Sequence, residues 1–400
     1  MNVRKQLATA ACCAVLATTA AAWPATTAHA AGAPKPGTWR RVTATGLGNI
    51  AEIGLVRGAD GVLHVLWTSG STPGTYSVLD TPIAANGVSS RTVTIASHFD
   101  SAAYPDGTAT PGGLYAFWNG AQSGAPGSPL GTYEASRPTR GGAWHLSPSV
   151  TAAVNQFWGD NISAATGADG KPWAAFTVSG GLAAEHFGHP EHLLGIAACC
   201  QYYPGIGTDG KSGQTWLTYF SNVTGQTGTY FQPLGASGAP TGGPKRAPGS
   251  VSGGNAISAL ERVTAVGRGH GRPGVYITYL SGYPFARAVD LYRLGAKSAT
   301  AVAKLPAINN IGLSDLAADP QGRIWVAWAS TIDDQAALYV RRSNAAVSAF
   351  SGTAKVGLPA GTSDIWRVYL SAQSGRLDVV ALLTVHGAMA YWATQVLPPK

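Results

Sequence analysis

Four carboxylates, Asp100, Asp160, Glu261 and Asp364, fall at comparable places along this 400-residue chain. Cleavage of a glycosidic bond uses two carboxyl groups flanking the scissile oxygen, roughly 5 to 9 Å apart; these four supply candidates without fixing a pair. Asp333 and Asp334 are further acids, and His386 is a loop imidazole able to act as a base. Polar and aromatic residues occupy similar places: Asn49, Trp158, Asn161, Gln201, Tyr202, Tyr203, Asn310, Trp366 and Arg367. Taken singly, an Asp or Asn ahead of a strand more often satisfies turn amides. Taken as a ring, such groups are what a multi-hydroxyl ligand needs, a few convergent donors and acceptors beside aromatic surface.

Two denser clusters invite other chemistry. Glu185, His186, His189, Glu191 and His192 carry metal-ligating side chains within eight residues. Their spacing matches no established metal motif, and period-two alternation along a strand at 182–187 sends Glu185 and His186 to opposite faces. A solvated outer strand and turn is therefore expected, with no metal. Cys199 and Cys200 are the only cysteines after the first thirty residues. A disulfide between neighbours closes a small ring and cannot staple distant segments. Two readings stand: a rigid, sulfur-rich plate beside Tyr202 and Tyr203, or two cysteines held by packing.

The elements that would position these residues follow from composition. The chain is 45% hydrophobic and 12% charged, with 52 Gly and 25 Pro, which excludes a disordered tail or a coiled coil and leaves a folded chain with many turns. Residues 1–30 read as a secretory leader: Arg4 and Lys5, an apolar stretch from Leu7 to Ala22, and Ala28-His29-Ala30 for cleavage. Losing that leader removes two basic residues and lowers the formal net charge from +8 to +6. A secreted, extracellular protein without membrane insertion is expected.

Internal repetition organises the rest. A polar turn followed by an alternating apolar and aromatic strand recurs seven times, with Trp67, Trp118, Phe176, Tyr219, Tyr279, Trp328 and Leu382 as equivalent points at intervals of about fifty residues. That spacing accommodates four short strands and their turns, and helical periodicity is nearly absent. The expected fold is all-β: a seven-bladed β-propeller formed by residues 31–400 as one domain. The seventh unit stops at Pro398 one strand short, and Thr38–Thr43 near the other end supplies a spare strand. Pairing the two closes the ring and covers a sheet edge. Leu234–Gly254, rich in Gly, Pro, Ala and Ser, reads as a flexible insertion. Counting eighteen residues back from each equivalent point gives Asn49, Asp100, Trp158, Gln201, Glu261, Asn310 and Asp364, where the chain approaches each innermost strand.

One turn sequence carries a family resemblance. Thr208-Asp209-Gly210-Lys211-Ser212-Gly213-Gln214-Thr215-Trp216 resembles the Asp-box turn of the sialidase-like propellers, and Asp319-Pro320-Gln321-Gly322-Arg323-Ile324-Trp325 is a looser relative. Asp209 stands four residues before Gly213, where the family pattern has two. The resemblance implies a secreted propeller, and for true sialidases an arginine triad, a Tyr-Glu nucleophile pair and an Asp acid/base. Arg262, Arg287 and Arg367, with Tyr202 or Tyr203 and Glu261, stand where such groups would be needed, though no motif fixes them. No Gly-rich phosphate loop, Gly-x-Ser-x-Gly elbow or basic tract interleaved with aromatics is present, so neither a cofactor nor a nucleic-acid partner is expected. Two functions remain: a monomeric propeller recognising an extracellular glycan or cell-surface polymer, with or without sialidase-like hydrolase activity, or a non-catalytic propeller that binds another protein.

Overall fold

The computed structural model describes residues 34–44, 52–122, 131–147, 162–178, 181–187, 192–193, 201–221, 223, 225–250, 263–269, 271–281, 286–311, 313–330 and 336–399. Every regular element among them is a β-strand. A short strand, β1 (Arg40–Arg41), precedes a seven-stranded sheet of β2 (Gly54–Arg57), β3 (Leu63–Ser69), β4 (Tyr76–Ile83), β5 (Val93–Thr110), β6 (Gly113–Gln122), β7 (Gly131–Arg137) and β8 (His145–Leu146), ordered as in sequence. Three four-stranded antiparallel sheets follow, again in sequence order. They comprise β9 (Ser163–Thr166), β10 (Pro172–Val178), β11 (Gly181–His186) and β12 (His192–Leu193); β13 (Gln201–Thr208), β14 (Thr215–Ser221), β15 (Gly228–Leu234) and β16 (Lys245–Arg246); and β17 (Ala265–Gly267), β18 (Val275–Ser281), β19 (Ala286–Arg293) and β20 (Thr300–Ile311). Another contains β21 (Leu313–Ala318), β22 (Ile324–Ser330), β23 (Ala337–Arg342) and β24 (Ala354–Val356). The last runs β25 (Thr362–Gln373), β26 (Arg376–Val385), β27 (Ala388–Val396) and then β1.

There are six sheets where the repeat predicted seven units, and β5 explains the difference. Its first part pairs with β4, Tyr76 opposite Phe99 and Asp80 opposite Val93, while its second pairs with β6 from Ser101 to Thr110. One continuous strand thus joins the β2–β4 and β6–β8 parts of a single sheet. His98 and Tyr104, the latter just before Pro105, take positive φ angles of 65° and 54°, a conformation costly for a bulky side chain. The expected terminal pairing is present. Arg40 lies opposite Ala393 and Arg41 opposite Trp392, and flanking bonds from Gly37 N to Gln395 O and Val42 N to Tyr391 O, both 2.8 Å, extend the match.

Where an aspartate stands in the turn that opens a second strand, it serves the turn structurally. Asp209 Oδ1 accepts the amides of Lys211 and Ser212 at 2.9 Å, and Oδ2 accepts Gly274 N of the next sheet at 2.6 Å. Burial works to raise the Asp209 pKa, but these amide bonds outweigh it and hold the carboxyl below its ordinary value. Asp319 Oδ1 likewise accepts Gln321 N and Arg323 N. The stretch Leu234–Gly254 differs from expectation: it supplies β16, whose Lys245 and Arg246 pair with Phe231 and Tyr230, and it buries Ala247 and Ser250. Residues 251–254 lie outside the described ones.

Apolar faces of neighbouring sheets interlock. Phe99, Trp118 and Tyr133 fill the space between the two halves of the seven-stranded sheet, and Phe117 with Phe176 the next junction. The junctions continue through Trp173 and Leu217, Phe231 and Ile277, Leu291 and Val326, then Trp325 and Val379. Trp67 and Val65 of β3 pack with Leu382 and Tyr391 of the last sheet. Innermost strands are also clipped together by polar side chains: Asp106 Oδ2 accepts Ala164 N, Ser163 Oγ accepts Ile206 N, and Asp315 Oδ2 accepts Leu370 N.

Candidate functional site

The first strands of the units line a shared cavity of about 320 Å³, reached by Leu55 and Arg57 of β2, Asp106 of β5, Ala164 of β9, Ile206 of β13, Ala265 of β17, Asp315 of β21 and Ser371 of β25. A smaller pocket adjoins it, sharing Thr264, Asp315 and Tyr369 and adding Glu52, Ser314 and Arg367. Glu52, just ahead of β2, and Arg367, at an irregularity in β25, come from opposite ends of the chain. The Arg367 Nε stands 3.6 Å from Glu52 Oε1, with side-chain exposures of 25% and 6%. Tyr369 and Tyr391 pack beside the pair, ring centroids 6.2 Å apart. Burial pushes the Tyr391 phenol above its ordinary range; Glu52 adds to that shift and Arg367 opposes it.

Arg367 and Trp366 of the expected ring are at this place. The register of β25 slips between Ile365 and Arg367, and the slip turns Trp366 outward: the indole is 40% exposed, its Nε1 donating to Thr384 Oγ1 at 2.9 Å. Asp364 pairs opposite Thr384 and accepts a bond from Ser363 Oγ at 3.0 Å. His386 is exposed with φ 49°, and its amide donates to Gly361 O. Asp100 falls where β5 passes from pairing with β4 to pairing with β6, within a strand and not in a loop. Tyr203 has φ 57° and accepts Val263 N at 3.3 Å through its carbonyl. For Gln201, Tyr202 and Asn310 only the strand placement is described, in β13 and β20. Asn49, Trp158, Asp160, Asn161, Cys199, Cys200, Glu261, Arg262, Asp333 and Asp334 lie outside the described residues.

His186 corrects the expected solvated strand. Glu185 and His186 do face opposite ways, but the imidazole is buried at 4% exposure, stacked 4.3 Å from Trp173 and 3.1 Å from Asp169 Oδ2. Ala236 O faces its Nδ1. The ring joins two sheets. Among the described residues no group of three His, Cys, Asp or Glu side chains could hold a metal ion; His189 is outside them, as is the side chain of His192.

Sequence reasoning missed Glu52, Tyr369 and Tyr391. A charged residue opening an apolar strand was the available signal for Glu52, three positions beyond Asn49. The tyrosines read as ordinary strand aromatics.

The same arrangement of sheets occurs in solved structures. A protein of unknown function from Dyadobacter fermentans superimposes with a TM-score of 0.52 at 12% identity, covering 86% of this chain and 93% of that one. The fold is propeller-like. A family PL25 polysaccharide lyase, an ulvan lyase, matches with a TM-score of 0.50 and 11% identity over 90% of this chain and 95% of its own. The endosialidase of phage phi92 matches with a TM-score of 0.50 and 10% identity over 91% and 69%. No family model and no curated protein matches the sequence.

Proposed function

We propose that the chain is a secreted, seven-bladed β-propeller that recognises an extracellular carbohydrate at the mouth of its central channel. Counting β5 once in each unit it serves, and β1 with the last sheet, gives seven four-stranded blades. The packing of the last sheet on the first supports closure of the ring. The observation that carries the functional reading is the Glu52–Arg367 pair. It joins an acceptor to a charged donor beside Tyr369, on a small pocket adjoining the cavity that all seven innermost strands reach. Donor and acceptor together suit the hydroxyl groups of a sugar. Two proteins of similar fold, the ulvan lyase and the endosialidase, are carbohydrate-active.

Recognition without covalent chemistry is the better reading. A tyrosine nucleophile activated by a glutamate needs a reachable oxygen and a lowered pKa; Tyr391 is 1% exposed and shifted upward. Secretion is supported by the leader-like residues 1–30. The test is a glycan array probed with the wild-type protein and with Arg367→Ala, hits being followed by titration calorimetry and product analysis. The reading expects saturable binding without cleavage, weakened at least tenfold by the substitution. Absence of any glycan bound by the wild-type protein overturns it.

A further inference from the structure

At the far end of β21 from the mouth, the turn Asp319–Gly322 gathers positive charge. β21 has six residues, so the two places are about 17 Å apart at ~3.3 Å per strand residue. The Arg268 side chain, 7% exposed, donates through Nε to Gly322 O at 2.7 Å and through Nη2 to Ala345 O. The Arg272 side chain lies over the same glycine, whose φ is +73°; a Cβ there would overlap it. Arg323 follows in sequence, its Nη1 3.9 Å from Asp319 Oδ2. Arg342, opposite Trp325 in the sheet, stacks its guanidinium 5.1 Å from the centre of that indole.

These four cations share one carboxylate. Asp319 is 2% exposed, and its Oδ1 already accepts two turn amides. Among the described residues Arg268, Arg272 and Arg342 form no ion pair. The Arg342 guanidinium sits below its ordinary pKa, first through burial and then through repulsion from Arg323. One further carboxylate stands near, Asp209 of the preceding sheet, whose Oδ2 accepts Gly274 N two residues from Arg272. From Val263 to Val356 every described carboxylate, Asp290, Asp315 and Asp319, is buried, while Arg293, Lys297, Lys304 and Lys355 are exposed.

We propose that this turn is a binding site for the sulfate or carboxylate groups of an acidic polysaccharide. Arg268 is fixed by two carbonyls and holds the turn in shape; Arg272, Arg323 and Arg342 present planar donors suited to oxyanions. Trp325 beneath Arg342 is wholly buried, so this indole offers no face on which a nucleic-acid base could stack. The choice of a polysaccharide rests on the carbohydrate reading above, whereas the anion chemistry stands on the arginines alone.

The test measures retention of dextran sulfate, polygalacturonate, neutral dextran and poly(dT) by the full chain, at low and physiological salt. At least one acidic polysaccharide is expected to bind, more weakly as salt rises, and neutral dextran not at all; whichever acid binds identifies sulfate or carboxylate. Arg272→Gln with Arg342→Gln should weaken binding at least tenfold. The pair Arg272→Lys with Arg342→Lys, which keeps the charge but not the planar fork and guards against misfolding, should bind more tightly than the Gln pair and more weakly than the wild-type protein. Lys297→Gln with Lys304→Gln and, separately, Arg367→Ala should leave it within twofold, so failure at the mouth and failure at the turn are told apart. No binding at low salt, equal binding by the Gln variant, or tighter binding of poly(dT) than of either polysaccharide overturns the proposal.

Discussion

Two arginine–carboxylate pairs bridge the junction between the first and last sheets, and they differ in how closely the partners approach and how exposed they are. At Asp378, Oδ2 takes Arg57 Nη2 at 2.5 Å and Gln373 Nε2 at 2.7 Å, while Oδ1 takes Gln395 Nε2 at 2.8 Å. Arg57 also reaches Ser371 Oγ and Gly61 O. Burial lowers its pKa and the Asp378 charge and hydrogen bond resist that shift. At Glu52 the approach is longer, 3.6 Å, and Arg367 stays a quarter exposed on a pocket wall. The close, buried pair ties two sheets together, whereas the longer pair stands on the wall of a pocket. The same residue types at the same junction thus do different work because of what surrounds them.

Breaking the close pair should have the largest effect. Asp378→Ala leaves Arg57 and two amides without their acceptor inside the protein, so a loss of about 3–5 kcal/mol is expected, read by denaturant unfolding. Asp315→Ala comes next: Leu370 N loses its acceptor, costing about 1–3 kcal/mol, and Asp315→Asn should recover most of it by keeping one oxygen. At the mouth, Arg367→Ala should cost less than Asp378→Ala, because the Arg367 side chain is a quarter exposed and stands 3.6 Å from Glu52. A larger loss there would erase the contrast and make Glu52–Arg367 a structural pair as well.

The smallest effect concerns a carboxyl away from both pairs. Burial raises the Glu134 pKa to about 7. Its folded value exceeds the unfolded one, so its favourable contribution is complete below about pH 4.5 and is lost as pH rises to about 7. Glu134→Gln should flatten that part of the stability–pH curve, measured by thermal unfolding between pH 4 and 8. An unchanged curve would place Glu134 in a more solvated setting.

How much of this was legible in the sequence depended on whether the signal was local. Asp-Gly turns and alternating strands repeat because turn amides and pleated faces impose them residue by residue, so the units and the pairing of β1 with β27 could be read. β16 could not: two residues, Lys245 and Arg246, carry no periodicity and lie in a stretch whose composition resembles a linker. The fusion through β5 was hidden because His98 and Tyr104, not glycines, take the positive φ angles. Trp366 and Arg367 were named as the residues that follow Asp364, itself placed by counting along the repeat. Glu52 was not, since its role arises only where the chain's two ends meet, and no spacing within either end records that contact.

The central claim is that Glu52 and Arg367 act as one recognition unit, and a double-mutant cycle tests it most directly. Calorimetric affinities for a glycan bound by the wild-type protein would be compared across Glu52→Gln, Arg367→Ala and the double variant. Mutual dependence predicts that the double variant binds much like the weaker single one, a coupling of about 1 kcal/mol or more. Additive losses, or affinities unchanged in all three variants, would contradict the account.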